Sequence, residues 1–387
     1  MIVLPNHPTP EVSILIVTNR QPELLENCLQ SIEHHFPTGI AAEVVIVING
    51  ATDAVRLKVR DTCRGAVLAE STANLGLAGG YNLARSLARG RLLLLLHDDA
   101  ELLPGSVDAL LATLKARPEA GAVGSRLLNA DGSHQIAGAV MWGNAWTTHR
   151  TFDPSETASF PVDYVTLCGT LTPADAWDAV GGLDEAIYPG FYVDTDYSTS
   201  LWASGRPVFC EPASTMIHRG GASKNLAFAT FLSQRNRPYF AKKWAARLRD
   251  QEPWALDDPD AESRARARTE ERAQRRKITL LPSREPLSTA ADRDLKHLRQ
   301  ALRLYEDWSH HLKAETISAR AEADELRRHL KAAYEELERK CESAAREREK
   351  KIALSEKITS LKAKIKKLQE EKARPRCDWR FWRWGRG

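Results

Sequence analysis

Three short apolar runs set the frame of this chain. Val12-Ser13-Ile14-Leu15-Ile16-Val17, Glu43-Val44-Val45-Ile46-Val47-Ile48 and Leu92 to Leu96 lack the alternation of a strand with one wet face. They read as strands buried on both faces. Between them the spacing turns helical. Leu24, Leu25, Cys28, Leu29 and Ile32 mark one helix face, and Val107, Leu110, Leu111 and Leu114 mark another after the start signal Pro104-Gly105-Ser106. Strand-helix-strand order of this kind predicts an α/β domain over residues 1–245, with an open, doubly wound, mainly parallel sheet. Ligands of such sheets gather at the carboxyl ends of the strands, where His97-Asp98-Asp99 follow the leucine run. Two adjacent carboxylates at the mouth of a core need a positive partner.

The pattern changes after Trp244. Residues 246–290 are charged and punctuated by proline, and read as a linker. From Leu295 to Lys372 one heptad register holds, with apolar residues at 17 of its 23 a and d positions and Glu, Lys and Arg between them. That spacing predicts a C-terminal coiled coil over residues 291–373, on the order of 115 Å long at ~1.5 Å per residue. Lys340, Glu347 and Lys351 interrupt the seam and suggest a hinge. Residues 374–387 interleave Trp379, Phe381, Trp382 and Trp384 with five arginines. This mixture suits the headgroup layer of a membrane surface, with a partner protein as the competing target. So short a tail offers little groove for a strand, which argues against nucleic acid.

Charge and cysteine usage narrow the class. Lys+Arg 55 against Asp+Glu 51 leaves a net charge of only +4, too little for a general polyanion binder. The six cysteines lie at least 35 residues apart, which implies free thiols in a reducing compartment. The opening MIVLPNHPTPEVS has neither the basic nor the apolar region of a signal peptide, and no apolar run approaches membrane-spanning length. A soluble or peripherally attached protein is expected.

Four stretches resemble family 2 glycosyltransferases, inverting enzymes with the nucleotide-sugar-binding fold called GT-A. They are VSILIVTNR, ANLGLAGGYNLA (residues 73–84), LLLLLHDDAEL (residues 92–102) and the block GGLDEAIYPGFYVDTDYSTSLWASGRPVFCEPASTMIHRGGAS (residues 181–223). Their order and gaps place the chain nearest to rhamnosyl- and galactofuranosyltransferase-like members that build bacterial surface polysaccharides.

The resemblance implies specific roles. Asp99 matches the last acid of the family's Asp-x-Asp metal motif and His218 its late metal-binding histidine, so both would hold Mg²⁺ or Mn²⁺ against the departing diphosphate. His97 stands where the first acid is expected. Asp98 lies between them and faces the sugar or the ribose. Asp194 matches the general base that takes the proton of the acceptor hydroxyl, with Asp196 a supporting acid. Val193 replaces the family's Glu before that base, and Ile48 replaces an acid that helps to bind the base or ribose, leaving Asn49 as the nearest substitute. Thr18, Asn19, Arg20, Asn74, Gly79, Gly80 and Asn82 would line the nucleotide cleft. Arg235 and Arg237 are candidates to reach the diphosphate, and Cys168 is expected only to wall the acceptor side.

The implied function is metal-dependent transfer of a sugar, rhamnose or a relative from a dTDP- or UDP-sugar, onto a lipid-linked glycan of O-antigen type. The coiled coil would make a homo-oligomer or a spacer, and the tail would hold the enzyme on the cytoplasmic face of the cell membrane. The rival, prompted by Ile48 and Val193, is an inactive sugar-nucleotide-binding scaffold that recruits partner enzymes.

Overall fold

The predicted strands form and are dry. In the computed structural model, β1 (Val12–Thr18), β2 (Ala42–Asn49) and β4 (Leu92–His97) bury nearly every side chain, and β3 (Val67–Ser71) extends the sheet beyond β2. The structure describes residues 1–220, 226–255, 257–282, 296–297, 299–316 and a few isolated positions after them. The other strands of this large sheet are β5 (Ala100–Leu102), β6 (Ala122–Leu128), β7 (His134–Ile136), β8 (Phe160–Pro161), β9 (Thr170–Pro173) and β10 (Val208–His218). Along the sheet the order is β8-β10-β6-β9-β4-β1-β2-β3, with β5 paired to β10 and β7 to β6.

The first half of this sheet is parallel as expected: β1 runs parallel to β2 and β4, and β2 to β3. The second half is mixed, because β9 lies antiparallel to both β4 and β6. The fold is therefore a mixed, parallel-rich α/β sheet rather than a mainly parallel one. TLTP alternates polar and apolar residues and carries a proline, so its sequence says nothing of direction.

Helices cover the sheet: α1 (Pro22–His35), α2 (Asp53–Thr62), α3 (Gly76–Leu87), α4 (Ser106–Ala116), α5 (Ala174–Ala179) and α6 (Val193–Ala203). Pro22 starts α1 where its missing N–H costs nothing, and Leu25, Cys28, Leu29 and Ile32 form the buried face that the spacing predicts. Gly105, in the left-handed region at φ 77°, precedes α4, whose Val107, Leu110 and Leu114 are buried. The chain closes with α7 (Leu226–Lys243), α8 (Ala245–Leu248) and α9 (Ala261–Arg275).

The domain does not end at Trp244. The expected linker contains α9, which buries Ala261, Ala265 and Thr269 at every fourth position. Its Arg272 Nη1 lies 2.6 Å from the carboxylate of buried Asp163, to which the Thr269 hydroxyl also donates at 3.0 Å. The small apolar residues in a charged sequence conceal this docking, which joins one buried ion pair to a narrow apolar contact of Ala261 and Ala265 with Val140 and Trp142. A first compact unit reaches Leu302. In the second, residues 303–316 are helical, while most of the predicted heptads and the whole tail 374–387 lie outside the described residues. Among the described residues no helix is long and apolar enough to cross a membrane.

Candidate active site

Strand register gathers the first cluster. Val17 of β1 sits opposite His97 of β4, and Thr18 opposite Ile48, so three strands finish along one edge. β10 reaches the same edge from the other half of the sheet: His218 pairs with Ala100, and the Arg219 backbone N–H donates to the Asp99 carbonyl at 3.0 Å. The Gly169 N–H donates to the Leu95 carbonyl at 2.9 Å, which brings Cys168 beside the end of β4. Residues about 120 positions apart thus meet at one strand end.

The side chains converge. His218 Nε2 lies 3.4 Å from Asp99 Oδ1, and His97 Nδ1 lies 3.9 Å from the same oxygen. The two imidazole centroids are 5.5 Å apart. Ligand atoms of His97, Cys168 and His218 all fall within 4.8 Å of one another. Among the described residues, His97 Nε2 is buried with no hydrogen-bond partner.

Burial and the neighbouring His218 push His97 down to about 4, so its imidazole is neutral near pH 7 and its approach to Asp99 is not an ion pair. Asp98 moves the other way. Burial and the Asp99 charge push it up to about 7, while the Thr18 hydroxyl and the Asn19 N–H hold it back. A carboxyl of this kind can accept or donate a hydrogen bond at neutral pH. Burial, then Asp99, also keeps the Cys168 thiol well above its ordinary range.

Gln135, on β7, decides how His218 is presented. The Gln135 amide nitrogen donates to the His218 carbonyl at 3.1 Å and to Asn129 Oδ1 at 2.9 Å, so its Oε1 is left as an acceptor. That oxygen lies 2.7 Å from His218 Nδ1, which therefore carries the proton in the neutral ring. The Nε2 side of the ring faces Asp99 Oδ1 at 3.4 Å. Two imidazoles and a carboxylate that meet at one strand end are a donor set that fits a divalent cation.

The predicted nucleotide-side residues form a tied loop system. Asn19 Nδ2 donates to the Asn49 and Gly50 carbonyls at 2.5 and 3.0 Å. Asn49 spends its amide on the next turn, accepting from the Leu75 N–H at 2.8 Å and donating to Asn74 Oδ1 and the Gly76 carbonyl. Asn82 likewise holds the Leu183 turn by two hydrogen bonds. Gly79 and Gly80 lie within α3 and make room for neighbours: a Cβ there would stand 2.8 Å from His297 Nε2 and 2.6 Å from Val17. Arg20 and Arg235 converge on Tyr188, whose hydroxyl donates to the Asn74 carbonyl at 3.1 Å. Arg235 Nη1 also reaches the Tyr188 carbonyl at 3.2 Å, whereas Arg237 stacks over Trp146 at 4.3 Å.

Asp194 stands in the first turn of α6, next to Phe191 and Tyr192, two non-glycine residues held at φ 56° and 69°. Backbone strain of this kind persists only where the surroundings enforce it, and it gathers at functional sites. Burial raises the Asp194 carboxyl, with the Thr195 N–H at 2.8 Å pulling it back. Asp196 faces the core. Its Oδ1 lies 2.7 Å from Lys243 Nζ and accepts from Trp244 Nε1 at 2.7 Å, and Lys243 also meets Asp184 at 2.5 Å. This buried triad anchors α6 to α7. Sequence reasoning missed Gln135 and Lys243, which carry no motif, and it gave Cys168 no chemical part.

Comparison with known proteins agrees with this geometry. Residues 13–170 match the model of glycosyl transferase family 2. O-antigen biosynthesis protein RfbC of Myxococcus xanthus is 28% identical over 234 residues, 56% of this chain and 18% of that protein. The chain therefore spans less than a fifth of that relative's length. The N-acetylglucosaminyl-diphospho-decaprenol L-rhamnosyltransferase of Mycobacterium tuberculosis is 25% identical over 239 residues, 54% of this chain and 76% of that protein. Among solved structures, GalNAc-T7 with UDP, GalNAc and Mn²⁺ superposes with a TM-score of 0.50 at 13% identity, covering 63% of this chain and 50% of that one. Such a likeness speaks to the fold alone. Residues 13–170 are thus similar to glycosyl transferase family 2, on a GT-A-like α/β fold.

Proposed function

We propose that the protein is a cation-dependent, inverting glycosyltransferase. It moves rhamnose or a related sugar from a dTDP- or UDP-linked donor onto a lipid-linked glycan of bacterial surface polysaccharide. The observation that carries this reading is the meeting of His97, Asp99 and His218 at the strand ends of a family 2 domain. A rhamnosyltransferase that acts on a decaprenol-linked substrate and an O-antigen biosynthesis protein among the relatives support the sugar and the acceptor class.

Asp99 and His218, with His97 beside them, would hold Mg²⁺, Mn²⁺ or a similar ion. When bound, the cation supplies positive charge to the departing diphosphate. Asp98, poised near neutrality, hydrogen-bonds a hydroxyl of the donor. Asp194 takes the proton of the acceptor hydroxyl as that oxygen attacks the anomeric carbon opposite the leaving group. The raised affinity of its carboxyl for a proton suits that task. Arg20 and Arg235, gathered at Tyr188, offer positive charge on the nucleotide side.

The heptad region would join copies of the chain, and the Trp/Arg tail would hold the active site at the inner face of the cell membrane, where a lipid-borne acceptor is reached. Liposome flotation with and without residues 374–387 tests the tail: equal binding overturns its part.

The function is tested by a donor panel with the purified full chain and added divalent cation. Cation-dependent release of the nucleoside diphosphate, abolished in Asp194→Asn, is the expected result. A wild-type protein that is silent across the panel yet still captures partner enzymes would overturn it in favour of the scaffold.

A further inference from the structure

Arg235 and Arg237 stand on one helix, α7, yet point to different places. Residues two positions apart on a helix diverge by about 200°. Arg235 reaches the Tyr188 carbonyl, whereas the Arg237 guanidinium lies over the Trp146 ring, 4.3 Å from its centroid. Among the described residues that guanidinium has no hydrogen-bond or ion-pair partner. Trp146 stands at the tip of the hairpin formed by Ala139–Met141 and Thr147–His149, and it remains exposed, as does Phe191.

Strained backbone gathers at the same place. Among the described residues four non-glycine residues take a positive φ, and three of them are Ala145 at 64°, Phe191 at 56° and Tyr192 at 69°. These three are tied together. The Tyr192 hydroxyl donates to the Ala145 carbonyl at 2.7 Å, and buried Asn236 donates to the Gly190 and Phe191 carbonyls at 2.6 and 3.2 Å. Asn236 lies between the two arginines, so α7 itself enforces the conformation that leads into Asp194. Burial pushes the Tyr192 phenol up to about 12; Arg237 opposes this and Asp194 adds to it, so both charges act on one ring. Burial and the Asp194 charge also raise the Tyr164 phenol, to which the Thr147 side chain of the hairpin hydrogen-bonds.

The chemistry suits a charged sugar. Exposed aromatic rings offer apolar surface to the C–H face of a pyranose. A guanidinium stacked on an indole keeps its in-plane N–H donors, which match the paired oxygens of a phosphate or carboxylate. Stacking also holds the arginine in place beforehand, which lowers the cost of ordering it on binding.

We propose that Trp146 and Arg237 form an acceptor subsite that selects a sugar bearing a phosphate or a carboxylate. The ring lies against the Trp146 and Phe191 surface, the anion pairs with Arg237, and the attacking hydroxyl is presented to Asp194. The inference rests on the glycosyltransferase reading and deepens it: Arg237 reads the acceptor, and the donor diphosphate is left to Arg20 and Arg235.

The test measures equilibrium binding to the full chain with MnCl₂ and saturating UDP present, so that the nucleotide side is filled. Three probes share a glucose ring and a farnesyl chain: farnesyl glucoside, farnesyl glucuronide and glucosyl farnesyl diphosphate. At least one anionic probe should bind about tenfold or more tightly than the neutral one, and which of them does so separates a sugar carboxylate from a lipid-linked phosphate. Arg237→Gln should remove most of that preference, Arg237→Lys should keep part of it, and Arg235→Gln should change it by no more than about twofold. Trp146→Ala should weaken all three probes by about threefold or more. A wild-type protein without preference for either anion overturns the proposal whatever the variants do. So does a preference that survives Arg237→Gln, or one that Arg235→Gln abolishes, or affinities that Trp146→Ala leaves unchanged. The two readings fail separately. Anion binding that needs Arg237, with no transfer from any donor, removes the function and spares the subsite. Transfer that Arg237→Gln leaves equally fast on charged and neutral acceptors removes the subsite and spares the function.

Discussion

Replacing Lys243 by methionine should unfold the domain more readily than any surface change. Lys243 Nζ lies 2.5 Å from Asp184 and 2.7 Å from Asp196, and all three side chains are nearly inaccessible to water. At an effective dielectric of ~20 each contact is worth about 6 kcal/mol of gross attraction. Most of that is offset by the cost of drying three charges, several kcal/mol per ion. Removing the lysine deletes the attraction but leaves two carboxylates buried, so the net loss should be about 3–5 kcal/mol. Tyr239 and Trp244 still donate to Asp184 and Asp196 at 3.0 and 2.7 Å, which keeps the cost toward the lower end. Equilibrium urea unfolding of the full chain, followed by near-ultraviolet circular dichroism, measures it, and Tm should drop by about 10 °C. Adding Asp184→Asn and Asp196→Asn to the methionine variant should recover most of the loss, because no buried charge then remains. A Lys243→Met protein within ~1 kcal/mol of wild type would refute the account, since the carboxylates would have to be hydrated.

Other outcomes follow from neighbouring features. Asp194→Asn should lower kcat by about 10²–10⁴-fold while raising Tm at neutral pH. Because burial raises this carboxyl in the folded state, its protonated form favours folding, and that contribution is lost as pH rises through the folded pKa. The same shift predicts that wild-type kcat falls with acid above the ordinary carboxylate range, and an acid limb at the unshifted Asp value would contradict it. Gln135→Leu should weaken cation binding by about 10–100-fold with little change in Tm, and calorimetric titration of the metal-free protein checks this. Gly50→Ala should cost about 1–3 kcal/mol and loosen donor binding, because φ is 61° and the new Cβ would sit 2.5 Å from the Asn74 nitrogen. A neutral effect on both urea midpoint and nucleotide affinity would sink that assignment.

The dry strands were the most legible part of the fold. Runs such as VSILIV and LLLLL have no wet face to offer, and α1 repeats its apolar residues at helical spacing. The direction of β9 was not legible, because it depends on the path of the intervening chain. The docking of α9 was hidden by a sequence rich in arginine and glutamate, whose single buried ion pair to Asp163 has no periodicity. In the site, the acids and His218 stood out through their motif positions. His97 looked like a lost ligand because the pattern was read one residue type at a time. Gln135 acts from 83 residues before His218 and meets it only through the pairing of β6 with β7 and β10. The amide roles of Asn49 and Asn82 were also hidden, because a cleft residue and a turn-holding residue have the same composition.

The position of β9 between β4 and β6 has a consequence for how the protein is made. At translation speeds of about 5–20 residues per second, β1 to β4 can associate while the rest of the domain is still in the ribosome. β6 then waits several seconds for β9 and β10, its neighbours on either side, to be synthesised. During that interval most of both edges of a buried strand, apart from the end that β7 covers, is open to pairing with another chain. The half of the sheet that completes the candidate site is thus the half most exposed to misassembly, and overproduction of this protein should benefit from slower synthesis or from chaperones that shield unpaired strands.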